Sequence, residues 1–290
     1  MANRTVIRLY PEPCEQLPLE GLYLKHALQR SGSQQQPFVY TNFVSSLDGR
    51  IAIEHAADGG SAVPASIANP RDWRLFQELV AQSDILVTSA RYLRELSRGK
   101  AQDAIPLGNE PDFADLHRWR HEKGLPDQPA LVILSASLDL PLQSLCEAMD
   151  RPVYVATGDN PDAKALERIQ DTGAGILHVG NGGSMVDGRK LIDALAAEGF
   201  SSIYSIAGPG VFETLINARV LDRLYLTQVH RLIGGDSFDT LLEGDLIDPP
   251  AGFTMQALYY DRHAGDAGAQ LFGVYDTITG SAEQDPDRAD

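Results

Sequence analysis

The sequence predicts an α/β fold in which a mostly parallel central sheet has helices on both faces and closes with an antiparallel pair of strands. Short apolar, β-branched runs alternate with stretches of helical periodicity between residues 38 and 218. Such alternation is typical of strand–helix–strand units, which build parallel sheets. From Leu224 onward, strand patterns follow one another without a long helix between them, which favours antiparallel pairing. With 290 residues, 43% of them hydrophobic, the chain can bury one large core.

Each predicted element of the first half depends on a local pattern. Residues 38–45 are β-branched and aromatic, which indicates a strand. Asn69 followed by Pro70 starts a helix, because asparagine caps free N–H groups and proline suits the first helical position. Apolar residues then recur at helical spacing up to position 80. Further strands are expected at 50–53, 85–88, 131–134 and 153–156.

The second half repeats the pattern and then changes. Helices are expected at 162–171 and 187–198, each closed by a glycine, and a third helix at 211–218. Strands are expected at 176–179, 202–206, 224–229, 253–260 and 270–278.

The two ends of the chain differ from this central part. Residues 1–36 form a predicted N-terminal extension, whose prolines, Pro11, Pro13 and Pro18, predict an irregular first half. A short helix is expected at 19–29. Residues 37–280 form the predicted main domain, and the polar, acidic residues 281–290 are expected to be a disordered tail.

Composition excludes several classes of function. The formal net charge of −16 and the pI of about 4.7 disfavour nucleic-acid binding, since the surface repels phosphates at long range. No apolar run is long enough for a membrane span, and the N-terminus lacks a signal-peptide pattern. Cys14 and Cys146 are far apart and fit free thiols. We therefore expect a cytoplasmic protein without a metal site or a membrane or nucleic-acid partner.

Three segments could carry chemistry. Residues 208–211, Gly-Pro-Gly-Val, follow a strand and open a helix, so that free N–H groups could bind a phosphate; an ordinary strand-to-helix turn is the alternative. Residues 180–183 hold three glycines, but Met185 stands where a dinucleotide fingerprint needs another glycine, so we expect a flexible loop. Residues 45–49, Ser-Ser-Leu-Asp-Gly, form either a plain turn or a polar wall for a substrate.

Several strings together resemble one known family. Residues 42–52, NFVSSLDGRIA, resemble the opening strand of the reductase domain of riboflavin biosynthesis (RibD-type) proteins. Residues 69–89, NPRDWRLFQELVAQSDILVTS, are similar to that family's helix and the strand leading to its nicotinamide loop. Residues 205–226, SIAGPGVFETLINARVLDRLYL, resemble its glycine-rich cofactor turn and the helix after it, and residues 233–235 fit the segment that follows.

The resemblance implies a dihydrofolate-reductase-like fold, an NADPH cofactor, a homodimer and a small-molecule substrate. The family reaction reduces the ribosyl group of a ribosylaminopyrimidine at C1′, and the cofactor supplies the hydride. By motif match, the residues expected at the substrate and catalytic side are Asn42, Ser46 and Asp48. The residues expected at the cofactor are Thr88 and Ser89 for nicotinamide and ribose, Gly208, Pro209, Gly210 and Val211 for pyrophosphate, and Ser135 and Thr157 for the adenosine end.

Several positions depart from the family pattern, and one of these departures is that residues 95–98, Glu-Leu-Ser-Arg, replace the family's ADDP string after the nicotinamide loop. Asn42 replaces a lysine of bacterial members, Ile206 replaces a glutamate, and Val80 replaces an arginine expected at the substrate phosphate. The cofactor half of the site therefore matches the family, whereas the substrate half is altered. Two alternatives stay open: a non-catalytic NADPH-binding protein, and a reductase of the same fold acting on another substrate such as a pterin.

Overall fold

The computed structural model describes residues 4–54, 61–97, 107–140, 142, 146, 151–263, 265 and 268–278. The described strands are β1 (Thr5–Tyr10), β2 (Glu15–Pro18), β3 (Phe38–Ser46), β4 (Ala52–Glu54), β5 (Ser61–Ala62), β6 (Ile85–Ser89), β7 (Ala130–Leu134), β8 (Val153–Thr157), β9 (Gly175–His178), β10 (Ser202–Ser205), β11 (Arg223–Val229), β12 (Phe238–Asp239), β13 (Phe253–Asp261) and β14 (Gln270–Thr277). The described helices are α1 (Pro70–Ala81), α2 (Ala90–Ser97), α3 (Ala114–Glu122), α4 (Ala163–Gln170), α5 (Gly188–Ala197) and α6 (Pro209–Asn217).

Side-chain caps fix where three of these helices begin. The Asn69 side chain accepts the N–H groups of Arg71 and Asp72, and Pro70 occupies the first helical position, as the sequence predicts. Asp162 and Asp187 cap α4 and α5 in the same way. Each cap satisfies an N–H group that the helix itself leaves without an acceptor.

Eleven described strands form one sheet in the order β2-β1-β13-β14-β11-β3-β10-β6-β7-β8-β9. The seven strands from β11 to β9 pair in parallel, and the remaining pairs are antiparallel. A small second sheet has the order β12-β4-β5. The predicted fold class, a mostly parallel sheet with an antiparallel C-terminal strand pair, is confirmed.

The core lies on both faces of the large sheet. One apolar cluster joins α1, α3 and α4 to the sheet, with Leu75, Leu79 and Leu116 fully or almost fully buried. The opposite cluster holds α5 and α6, with Leu191 and Leu215 fully buried. Burial of each such side chain contributes roughly 1.5–3 kcal/mol. The helices thus hold the parallel strands in place, and the carboxyl ends of these strands stay at one common edge.

The N-terminal residues differ from the sequence-based expectation. The first half is not irregular: β1 and β2 form a hairpin, and β1 pairs with β13 through Ile7 and Tyr260. Pro18 ends β2 at the sheet edge, where its missing N–H removes no ladder hydrogen bond. The closing pair β13–β14 therefore lies inside the sheet rather than at its edge.

The expected helix at 19–29 is also wrong. Only two one-turn 3-10 helices form there, Leu24–His26 and Leu28–Arg30. Ala27 between them has φ 52°, a left-handed conformation that ends a helix. The expected tail, 281–290, lies outside the described residues.

Candidate active site

A cleft of about 780 Å3 opens at the carboxyl ends of the neighbouring parallel strands β3, β10 and β6. In sheets of this kind, ligands bind beyond the carboxyl ends of the strands. The N-terminal turns of α1 and α6 and the small sheet form the walls. The lining residues include Asn42, Ile51, Val63, Asn69, Asp72, Trp73, Phe76, Ser89, Arg91, Ile206, Gly208, Pro209 and Asp239.

Gly208 and Pro209 of the glycine turn line this cleft, whereas the next two expected cofactor residues, Gly210 and Val211, do not. Gly208 lies just before α6 with extended backbone, and an added Cβ at Gly208 or Gly210 would meet no atom within 4 Å. Val211 and Phe212 donate their N–H groups to the Gly208 carbonyl, both over 3.2 Å. Gly210, the second helical residue, has no intrahelical acceptor for its N–H. The turn therefore has an open backbone surface. The N–H of Gly210 is available to a ligand, whereas those of Val211 and Phe212 already have an acceptor.

Three buried hydroxyls lie at or next to the carboxyl ends of parallel strands. Thr88 in β6, Thr157 in β8 and Ser205 in β10 are fully buried, and their hydroxyls have no hydrogen-bond partner in the described part of the chain. A buried hydroxyl without a partner is unfavourable by about 1–3 kcal/mol. Thr88 and Thr157 are two of the residues that the family motif assigns to the cofactor, whereas the motif assigns no role to Ser205.

The other expected cofactor residues are placed differently. Ser89 lines the cleft, and its hydroxyl accepts the Tyr92 N–H over 3.5 Å. The Ser135 hydroxyl accepts the Leu138 N–H over 3.0 Å at the end of β7. Neither Ser135 nor Thr157 lines the cleft. They lie at the carboxyl ends of β7 and β8, beyond β6 in the strand order.

The second glycine segment, 180–183, which the composition predicts to be a flexible loop, forms hydrogen bonds with the neighbouring loop at residues 158–159. Gly182 donates its N–H to the Asp159 carboxylate over 2.7 Å, and Asp159 donates its N–H to the Gly183 carbonyl over 2.9 Å. An added Cβ on Gly158 would lie 2.4 Å from that carbonyl. Glycine at 158 therefore allows the two loops to pack closely.

The carboxylate of Asp48 forms hydrogen bonds with neighbouring residues of the protein. It accepts hydrogen bonds from the Ser46 hydroxyl over 2.5 Å, the Arg50 guanidinium over 2.7 Å and the Gly234 N–H over 2.8 Å. The hydrogen bond from Ser46 first, and then those from the backbone N–H groups of Gly234 and Ile233, hold the pKa of Asp48 well below its usual range. Asp48 and Ser46 do not line the cleft. The structure thus brings Asn42 to the cleft but uses the other two expected catalytic residues to tie the end of β3 to residues 233–234.

Asn42 is oriented by a tyrosine. The Tyr204 hydroxyl on β10 donates to Asn42 Oδ1 over 2.5 Å. Because Tyr204 fills one of the two acceptor positions of this oxygen and fixes the amide, we expect the side-chain NH2 group to be the part of Asn42 that contacts a ligand.

Asp72 is a functional candidate that the sequence reading missed. It lies in the first turn of α1 and lines the cleft beside Trp73 and Phe76, whose rings stack at 4.8 Å. Burial raises the pKa of Asp72 to about 6, although a hydrogen bond with the Thr227 hydroxyl acts in the opposite direction. An acidic residue in the first turn of a helix is common, because it interacts favourably with the helix dipole. The local sequence therefore gives no sign that Asp72 has another role.

The arginines near α1 are engaged elsewhere. Val80 is fully buried in the core and does not line the cleft, so the absence of an arginine there says nothing about a substrate phosphate. Arg71 pairs with Asp261 at 2.6 Å, and Arg74 pairs with Asp115. Arg91 is the cationic side chain among the described residues of the lining.

Comparison with protein-family models identifies the chain. Residues 37–255 match the model described as the RibD C-terminal domain. The chain belongs to the RibD C-terminal domain family. Its curated relative from Aquifex aeolicus, 2,5-diamino-6-ribosylamino-4(3H)-pyrimidinone 5′-phosphate reductase, is 28% identical over 158 residues, which are 53% of this chain and 68% of the relative.

Solved structures of the family share the fold. A pyrimidine reductase-like protein from Corynebacterium diphtheriae is 18% identical with a TM-score of 0.59, and the match covers 84% of this chain and 92% of that one. The deaminase/5-amino-6-(5-phosphoribosylamino)uracil reductase of Thermotoga maritima is 14% identical with a TM-score of 0.53, over 84% and 58% of the two chains. The sequence-based predictions of a RibD-type family member and of an oxidoreductase of that type are confirmed.

Among the described residues, no helix is long and apolar enough to cross a membrane, and no group of three or more His, Cys, Asp or Glu residues could hold a metal ion.

Proposed function

We propose that this protein is an NADPH-dependent reductase that transfers hydride to the ribosyl C1′ of a ribosylaminopyrimidine. One observation carries the proposal: a single cleft has an open phosphate-type turn on one side and polar groups beside aromatic rings on the other. Gly208 and Pro209 provide the first, and Asn42, Asp72 and Trp73 provide the second. A hydride transfer needs the two reactants in one desolvated space, which such a cleft offers.

The residues present fit a dinucleotide cofactor. The N–H of Gly210 and the positive end of the α6 dipole would hold the pyrophosphate. The unpartnered hydroxyls of Thr88, Ser205 and Thr157 are fully buried at the carboxyl-terminal ends of β6, β10 and β8, beneath the surface that lines the cleft. NADPH, when bound, supplies the hydride, and the chain's own groups only bind and orient.

On the substrate side, the chain supplies one donor, one acceptor and an apolar wall. The NH2 group of Asn42, held by Tyr204, donates to the substrate, and the carboxylate of Asp72 accepts from it. Trp73 and Phe76 form the wall. A same-fold reductase acting on a pterin is the second candidate, because a pterin also presents N–H donors that Asp72 could bind.

A cytoplasmic homodimer is part of the proposal. Cys14 and Cys146 are both free thiols, as expected in a reducing compartment. Light scattering after size-exclusion chromatography gives the oligomeric state.

The test is NADPH oxidation by the purified chain, followed by the loss of NADPH absorbance. Ribosylaminopyrimidines, with and without the 5′-phosphate, and a dihydropterin are the trial substrates. We expect turnover of a ribosylaminopyrimidine and a reduced, ribityl product by mass spectrometry. Tight NADPH binding without turnover of any compound would favour the non-catalytic alternative, and turnover of the dihydropterin alone would favour the second candidate.

A further inference from the structure

We propose that Asp72 selects a pyrimidine base that presents two adjacent N–H donors, so that the protein reduces a 2-aminopyrimidinone in preference to a uracil. This inference rests on the proposed function and names the substrate class within it. It concerns a difference between two relatives: the Aquifex aeolicus enzyme is named for a 2,5-diaminopyrimidinone, and the Thermotoga maritima enzyme for a uracil.

The backbone fixes Asp72 at the cleft. Asn69 caps α1 and accepts the Asp72 N–H over 3.0 Å, so the first helical turn is held at the cleft wall. Asp72 lines the cleft together with Asn42, which lies on β3. The carboxylate and the amide thus face one ligand space from two different elements.

Asp72 is partly exposed, and it differs from the buried carboxylates of α1 and its surroundings. Asp261 is paired with Arg71, and Glu78 with Arg74. Asp72 forms no ion pair with a cation among the described residues, and it shares a hydrogen bond with the neutral hydroxyl of Thr227. A carboxylate that is partly removed from water normally gains a cation or several donors as partners. One hydroxyl leaves most of its acceptor sites unused, and these are available to donors in the cleft.

The two bases differ at one edge. In a 2-amino-4(3H)-pyrimidinone, the 2-amino group and N3–H stand side by side as donors, which matches the two oxygens of a carboxylate. In a uracil, a C2 carbonyl replaces the amino group, so that an oxygen would face an oxygen. Specificity of this kind comes as much from the repulsive contact as from the attractive one.

The aromatic wall places a base next to this carboxylate. The rings of Trp73 and Phe76 are almost parallel, with an interplanar angle of 8°, and both line the cleft. Such a wall accepts the flat face of either base, since every base has a π-face. It therefore supplies affinity, and Asp72 supplies the discrimination.

The experiment compares the two bases as ribosylamino 5′-phosphates, which are identical apart from the base. For the wild-type chain with NADPH, we expect kcat/KM to be at least tenfold higher for the 2,5-diaminopyrimidinone than for the 5-aminouracil compound. Asp72→Asn offers one donor and one acceptor, which suits the uracil edge. This variant should lose the preference or reverse it, chiefly through KM, while its Kd for NADPH stays within threefold of the wild-type value.

Asp193→Asn is the matched control, because Asp193 is an exposed acid on α5. It should keep the wild-type ratio. Equal kcat/KM for the two compounds in the wild type, or an unchanged ratio in a folded Asp72→Asn variant, would overturn the proposal.

A separate binding measurement distinguishes this inference from the proposed function. If neither compound oxidises NADPH, calorimetric titration of the wild-type chain with the two compounds still compares their affinities. Tenfold tighter binding of the diamino compound to the wild type, together with loss of that preference in Asp72→Asn, would support the role of Asp72 even where the reductase proposal fails. The same titration replaces the variant kinetics if Asp72→Asn does not fold, and equal affinities would then refute the inference.

Discussion

The Tyr204 hydroxyl donates a hydrogen bond of 2.5 Å to Asn42 Oδ1, and so orients the one expected catalytic residue that lies in the cleft. Tyr204 itself is fully buried and stacks on Tyr40 at 4.8 Å. The amide of Asn42 is therefore positioned from the core side by a rigid residue on the neighbouring strand. A donor held in this way loses little conformational entropy when a ligand binds.

Asn42→Ala should lower kcat/KM at least tenfold, because the NH2 donor to the substrate disappears. The Kd for NADPH should not change by more than threefold. The variant also leaves the Tyr204 hydroxyl without its acceptor, which should reduce the free energy of unfolding by about 1–3 kcal/mol. Steady-state kinetics and urea denaturation measure both effects. Tyr204→Phe in the Asn42→Ala background should restore stability but not activity, and full activity of Asn42→Ala would remove Asn42 from the site.

Asp48→Asn should lower stability and leave catalysis unchanged, because Asp48 ties residues 46–50 to residues 233–234 and does not line the cleft. A depressed pKa in the folded state contributes stability at pH values above the unfolded pKa, and this stability is lost as the pH falls through the folded pKa. The Tm difference between wild type and variant should therefore be largest near neutral pH and shrink in acid. Kinetics that fall tenfold in a variant of unchanged Tm would instead place Asp48 against the substrate.

The sequence predicted those elements whose signals are local. The Asn69–Pro70 cap, the closing glycines and the apolar spacing of α1 depend on neighbouring residues, and the structure confirms them. The β1–β2 hairpin was missed because its pairing partner, β13, lies about 250 residues away in the chain. A proline-rich segment gives no local indication that a distant strand completes it.

The site was predicted in the same uneven way. Gly208 and Pro209 carry a motif and line the cleft as expected. Asp72 carries no motif, because its environment depends on Thr227 from a distant strand and on burial that only the packed fold creates. Asp48 belongs to a family motif, but its carboxylate forms hydrogen bonds with neighbouring groups of the protein, such as the Gly234 N–H, instead of lining the cleft.

NADPH should bind at least tenfold more tightly than NADH, since the family motif places the 2′-phosphate end near Ser135 and Thr157. The Thr157 hydroxyl is buried and has no partner in the described part of the chain, so it can donate to a phosphate. A tenfold preference corresponds to about 1.4 kcal/mol, which one such hydrogen bond can supply. Fluorescence titrations of wild type and Thr157→Val should show this preference and its reduction. Equal Kd values for the two cofactors in the wild type would contradict the assignment.

Gly210→Asp is the most direct test of the cofactor turn. The substitution places a carboxylate at the N-terminal turn of α6, where the pyrophosphate is proposed to bind. Two like charges about 4 Å apart repel by ~4 kcal/mol at an effective dielectric of 20, which corresponds to roughly a thousandfold loss of affinity. The fold should survive, because Gly210 has no positive φ, an added Cβ meets no atom within 4 Å, and an acid stabilises a first helical turn.

Gly210→Ala separates charge from size in this test. It adds the same Cβ without the carboxylate, so NADPH affinity should stay within threefold of the wild-type value. Circular dichroism and Tm confirm that both variants are folded before NADPH is titrated. If folded Gly210→Asp bound NADPH as tightly as Gly210→Ala, the pyrophosphate could not lie at this turn, and the proposed reductase would lose the observation on which its cofactor site depends.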